Sequence, residues 1–151
     1  MGSEGMAREI DFPPVWLAVF VVLGGLIGRL WPITFPYSSE IGAGLLVLGL
    51  LLMVLAALQM LMVRTAIMPR QEASTLITGG VFRLSRNPIY LGDVLFLTGL
   101  LVNWGALISL PLVPVFMMVL YHRFIAEEEE RLTRDYGEIY TGYQSTTRRW
   151  I

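Results

Sequence analysis

Cysteine is absent from this chain. That excludes disulfides, thiolate metal sites and cysteine nucleophiles. Histidine occurs once, at His122. A zinc centre needs several His, Cys or carboxylate ligands together, so a zinc enzyme is not expected. Lysine is missing too: all 11 basic residues are arginine. We read this as genomic base-composition bias, with the benefit that a guanidinium keeps its charge when partly buried. With 12 acidic residues the net charge is −1, which gives no reason to expect nucleic acid as a partner. No Gly-x-Gly-x-x-Gly follows a strand pattern. Gly24-Gly25 and Gly42-x-Gly44 lie in apolar runs, so a soluble dinucleotide-type domain is not expected. Internal repeats, linkers and low-complexity stretches are also lacking.

Apolar sequence, by contrast, is abundant. The 151 residues are 55% hydrophobic, with a mean hydropathy of +0.63. That exceeds what a soluble domain needs and points to a single membrane domain over residues 1–151. Residues 1–12 read as an N-terminal tail, with Met1–Met6 resembling an expression scar or a disordered start. Glu9 and Asp11 just ahead of the first apolar run argue against a cleaved signal peptide.

Four apolar segments follow, at about Val15–Trp31, Ile41–Val63, Ile89–Val102 and Ala106–Tyr121. Crossing a bilayer takes roughly 20 helical residues. The first two satisfy that. The last two are short and separated by Asn103-Trp104-Gly105, which suggests a tight helical hairpin. Pro111 and Pro114 are expected to bend the fourth helix. The expected fold is therefore an all-α integral membrane bundle of four transmembrane segments, with a C-terminal hairpin and a cytoplasmic C-terminal helix. Arg64, Arg70, Arg83 and Arg86 lie between spans two and three, and Arg123, Arg131, Arg134, Arg148 and Arg149 follow span four. The loops Pro32–Glu40 and Asn103–Gly105 carry none. Both termini are then cytoplasmic, and we expect a multi-pass protein of a prokaryotic inner membrane. Gly24 and Gly28 form a small-xxx-small pair, read as close packing within the chain rather than as a dimer seam.

The polar residues gather after span two. Pro88 keeps Asn87 out of the helical region and suits the first turn of the next helix. Arg83 and Arg86 could pair with a carboxylate or phosphate, or simply anchor to headgroups. The run Glu127–Glu130 divides by helical phase. At about 100° per residue, Ile125, Glu129, Leu132 and Tyr136 share one stripe, with Glu128 at its edge. Glu127 and Glu130 fall opposite, where i,i+4 pairs with Arg131 and Arg134 are expected. An inward Glu129 needs a partner: an arginine or a bound cation. Tyr136, Tyr140 and Tyr143 are spaced to lie near one helix face, as interfacial aromatics or as a platform for a ring or a sulfonium. Asp93, inside span three, is a functional candidate. His122 reads as interfacial.

These residues resemble a known family. The order is Gly80-Val81-Phe82-Arg83, Arg86-Asn87-Pro88-x-Tyr90-x-Gly92, Glu128-Glu129-x-x-Leu132 and Tyr136-Gly137-x-x-Tyr140-x-x-Tyr143. It is similar to the isoprenylcysteine carboxyl methyltransferases, which belong with the membrane phospholipid methyltransferases. The likeness covers about Thr65–Ile151. It implies an integral membrane enzyme using S-adenosylmethionine and a lipophilic small-molecule or lipid acceptor that enters from the bilayer. It implies cofactor contacts at Arg86, Asn87, Pro88, Tyr90, Gly92, Glu128, Glu129, Tyr136 and Tyr140. Glu129, Arg83 and Arg123 are candidates for the chemistry or for orienting the acceptor.

The chain departs from the family in three places. Asn87 stands where the family often has His, and Tyr136 where it has Phe. The ending Arg148-Arg149-Trp150-Ile151 replaces a proline-rich one. Asn keeps a donor and an acceptor but does not titrate. Methyl transfer from a sulfonium needs alignment and exclusion of water, and no metal or covalent nucleophile. Carboxyl O-methylation is the leading expectation. Phospholipid amine N-methylation, a non-catalytic membrane assembly protein and a related reductase stand as alternatives.

Overall fold

The computed structural model describes residues 11–63 and 75–151. Met1–Met6, Arg64 and Arg70 lie outside the described residues. Helix dominates, and the described residues hold no regular strand. A single bridge joins Ile33 to Ala106.

The first helix, α1, covers Pro13–Leu30. Its two prolines sit in the first turn, where the missing N–H groups would have had no helical acceptor. The second, α2, covers Ser38–Met62. Its 25 residues reach about 37 Å, enough for a hydrocarbon core of about 30 Å. These two are the helices, among the described residues, that are long and apolar enough to cross a membrane. Only small groups of α2 face inward: Gly42, Gly49 and Ala56, with Leu52. Val47, Leu48, Leu51, Val54 and Leu58 are exposed. Such a surface suits lipid, because water would penalise a continuous apolar face of this length.

The third helix, α3, covers Pro88–Asn103. It is the centre of the molecule: both α1 and α2 lean on it, and α1 and α2 scarcely touch each other. The approach is close because glycines remove side chains at the crossings. A Cβ on Gly49 would meet Gly92 O at 2.7 Å, and one on Gly99 would meet Gly42 O at 2.8 Å. Gly24 and Gly28 work within the chain as expected: Gly24 faces Leu101 and Gly28 faces Ala106. Ser109 Oγ also donates to Gly24 O at 2.8 Å.

Beyond α3 the structure departs from the expected fourth span. Ala106–Tyr121 is not one bent helix. A 3-10 turn covers Leu107–Ser109, and α4 then covers Leu112–Leu120. Pro111 is the N-cap residue of α4 and Pro114 lies in its first turn, so both prolines start the helix rather than bend it. With α3 at 16 residues and α4 at 9, four full spans are not established. A π-helical segment, Tyr121–Ile125, continues α4 directly into α5, Ala126–Tyr136. Gly137, at φ +51°, ends α5 and turns the chain into α6, Glu138–Thr146. The core packs Phe20, Leu97, Leu101, Phe116, Leu120 and Ile125.

Candidate functional site

The site is assembled at the start of α3. Just before it, a 3-10 turn covers Gly80–Arg83. Gln59 of α2 holds that turn: its Nε2 donates to Gly79 O at 2.8 Å, and its Oε1 accepts from Val81 N at 3.3 Å. Gly80 adopts φ +58°, and a Cβ there would strike the Gln59 amide. The chain then delivers Ser85, Arg86 and Asn87 to the end of α6.

Arg86 is bonded on several sides. Its Nη2 donates to Glu129 Oε1 at 2.9 Å. Its Nη1 donates to Gln144 O at 3.2 Å and to Thr147 O at 3.1 Å. A cation is favourable there, because the last carbonyls of a helix lack N–H donors along the chain. Glu129 is also gripped by Arg149, whose Nε and Nη2 donate at 2.8 and 2.7 Å. The Arg149 guanidinium lies over the Tyr121 ring at 4.6 Å. The last residues run across the turn as a strap. Arg148 O accepts from Arg86 N at 3.0 Å. Arg149 O accepts from Ser85 Oγ at 2.9 Å and Asn87 Nδ2 at 3.2 Å.

The paired carboxylates differ in environment. Burial works to raise the Glu129 carboxyl, but the bonds and charges of Arg149 and Arg86 outweigh it and hold the group below the usual range. Glu128, its neighbour, is pushed up by burial, and Arg131 and the Tyr90 hydroxyl only partly oppose this. Tyr90 OH donates to Glu128 Oε2 at a long 3.5 Å. Glu127 and Glu130 are exposed while Glu128 and Glu129 are half-buried, the division that helical phase predicts. One of the expected pairings differs. Arg134 reaches Asp135 at 3.6 Å. Arg131 turns inward, with a shielded Nε that has no hydrogen-bond partner.

A cleft of about 280 Å³ opens beside this cluster. Phe12, Pro13 and Pro14 form one wall, at the start of α1, and Met53 and Met60 of α2 form the other. Ile89, Tyr90 and Asp93 of α3 make the floor, and Phe82, Arg86, Asn87, Pro88 and Glu128 close the polar end. Because α1 and α2 lean apart on α3, both walls belong to the two helices long and apolar enough to cross a membrane.

The structure thus brings together Arg86, Asn87, Pro88, Tyr90 and Glu128 around the cleft. Other expected site residues lie elsewhere. Glu129 stands behind Arg86, in the ion-pair lock. Gly92 sits at the α2–α3 crossing against Gly49 and Met53, where its lack of a side chain serves packing. Tyr140 is buried beneath α6, its hydroxyl pushed up to about 12 by burial and by the Glu129 carboxylate. Tyr136 ends α5, so the turn at Gly137 separates it from Tyr140 and Tyr143 and no single helix face carries all three. Arg123 pairs with Asp11 at 3.3 Å and lies over Trp16 at 5.1 Å, outside the cleft. Arg83 lines a different cleft. Arg149 is the participant that sequence reasoning missed. Its only signal was a terminal Arg-Arg pair in place of the family's ending.

These residues fit the cofactor the resemblance implies. Arg86 Nε is shielded and lacks a partner, so a ligand carboxylate would satisfy it. Glu128, Asp93 and the Tyr90 ring suit a sulfonium. Among the described residues no cluster could hold a metal ion.

Long apolar helices beside a cleft with apolar walls and a polar end define a helical membrane protein with a polar site. Residues 37–139 match the phospholipid methyltransferase family model. That is more than half of the chain, and the protein belongs to this family, whose members are membrane methyltransferases. No curated protein and no solved structure matches it.

Proposed function

We propose that the protein transfers a methyl group from S-adenosylmethionine to the amine of a lipophilic acceptor, at the cytoplasmic face of the membrane. The cleft's charge inventory carries this reading. It is lined by two carboxylates, Glu128 and Asp93, and by one guanidinium, Arg86, whose terminal nitrogens are already bonded to Glu129 and to two carbonyls. A carboxylate acceptor would need a second cation to orient it, since the one open nitrogen of Arg86, Nε, would be taken by the cofactor's carboxylate. An ammonium headgroup is instead attracted by the two acids. The sequence motifs lean toward carboxyl O-methylation; the electrostatics support N-methylation more strongly.

The cofactor supplies a methyl carbon already activated by a sulfonium. The chain's own groups then have modest tasks. Glu128, held above the usual carboxylate range by burial, is suited to accept the proton that an ammonium must lose before its nitrogen can attack. Tyr90 orients that carboxylate. The aromatic and methionine walls exclude water and align the acceptor's tail. The gap between α1 and α2 gives a lipid chain a lateral route to the cleft.

The test is incubation of the protein in lipid nanodiscs with methyl-labelled cofactor. Equimolar amino-headgroup phospholipid and prenylated carboxyl compound would compete as acceptors. Label is expected on the amine. Label on the carboxyl alone would overturn the amine reading, and label on neither would favour a non-catalytic role.

A further inference from the structure

A second cleft, of about 480 Å³, lies across the Gly80–Arg83 turn from the first. Consecutive residues of that turn serve the two clefts: Phe82 lines the apolar one and Arg83 the other. Among the described residues, Thr78, Tyr143, Thr146 and Thr147 complete its polar lining and no carboxylate lines it. Arg83 is exposed, and its side chain makes no hydrogen bond or ion pair with any described residue. The Thr78 and Thr147 hydroxyls are likewise uncommitted. Thr146 differs, since it donates back to Tyr143 O at 3.1 Å.

One permanent cation and two free hydroxyl donors, with no competing acid among the described residues, match the acceptor oxygens of a phosphate. The C-terminal end of α6 would by itself repel an anion. Arg86 offsets this by donating to the Gln144 and Thr147 carbonyls. The frame is also fixed in advance. Gln59 grips one side of the turn, and Tyr143 OH donates to Phe82 O on the other. Leu84 and Ile139, 66% and 69% exposed, put apolar side chains on the same turn and on the rim, as a lipid surface would favour.

We propose that this cleft binds a phosphate group, borne by a lipid headgroup or free in solution. The proposal is independent of the methyl-transfer reading, because the site and its readout involve neither cofactor nor acceptor. Full-length protein in phosphate-free detergent would be titrated by calorimetry with inorganic phosphate and, separately, with a short-chain phosphatidylglycerol. Arg83→Ala should weaken binding about tenfold or more, since hydrogen bonds to a charged partner are the strong ones. Arg83→Lys should lose less. Arg148→Ala removes an exposed arginine outside the cleft and should change nothing. Binding of the lipid alone assigns the site to headgroups, and equal binding of both ligands assigns it to free phosphate; both results support the proposal. Absence of binding by either ligand overturns it. So does an equal loss from Arg83→Ala and Arg148→Ala, which would mark general surface charge. Unchanged thermal midpoints confirm that the variants are folded.

Discussion

The two ends of α3 are held by different physics. At its start, Arg86 and Asn87 are fixed by charge and by directional hydrogen bonds to Glu129 and to backbone carbonyls of the terminal strap. At its far end, Gly99 and Asn103 are held by backbone contact and by one neutral bond, from Asn103 Nδ2 to Ser39 O at 2.8 Å. A Cβ on Gly42 would meet Asn103 N at 2.5 Å, and one on Gly99 would meet Leu46 N at 2.7 Å. Contact packing holds position without regard to protonation. Ion pairs hold position and also set the charge of neighbouring groups. The end that needs both, beside the cleft, is built from ion pairs.

The start of α3 is disturbed most severely at Glu129. Glu129→Ala leaves Arg86 and Arg149 without their shared carboxylate. Losing one partner of a buried pair costs about 3–5 kcal/mol; with Arg149 35% exposed, about 3 kcal/mol is expected after allowing for solvent. Calorimetry should also show cofactor binding lost. An unchanged thermal midpoint would mean that charge does not hold this end. Next comes Glu128→Gln, which removes the proposed base but not the lock. Methyl transfer should drop about a hundredfold or more while the melt stays put. In the unaltered protein, activity should rise with pH through a value above the ordinary glutamate range, because burial raises this group. A flat pH profile would remove Glu128 from the chemistry.

Gly99→Val tests the other end. Overpacking there should cost about 1–3 kcal/mol, with the same loss at pH 5 and at pH 8. Acid sharpens the contrast. Glu129 has its folded value depressed, so its contribution is full above the ordinary glutamate value and is lost as pH falls through the lower folded value. Thermal midpoints of Glu129→Gln should therefore fall less in acid than those of the unaltered protein, and parallel curves would show that the lock does not titrate. The smallest effect belongs to Glu130→Ala. This exposed residue should shift stability by no more than about 0.5 kcal/mol.

The all-helical class and the inward turn of Glu128 and Glu129 were legible because both rest on local periodicity. So was the close packing at Gly24 and Gly28, since small residues four apart lie on one face. What escaped sequence reasoning depends on contacts between elements. The tyrosines looked like one face only while the helix was assumed to run through Gly137. Arg131 was placed outside by phase, yet a guanidinium on a long stem can reach back over its own helix. Glu129's need for a cation was clear, and Arg86 was at hand in the sequence. That Arg149 shares the task depends on the α5–α6 turn, which no periodicity reports. The prolines illustrate the same limit: whether Pro111 and Pro114 bend a helix or begin one depends on where the preceding turn ends.

The π-helical segment between α4 and α5 has a consequence for how this chain tolerates change in length. A π turn encloses one residue more than an α turn, so Tyr121–Ile125 amounts to an insertion that the helix has already absorbed. Deleting one residue there lets the segment relax to an ordinary helix with both flanks in place. The same deletion inside α4 would rotate everything after it by about 100° and present the wrong glutamate to Arg86 and Arg149. Five residues in this helix can therefore lose a member without moving the site, and the helix on either side of them cannot.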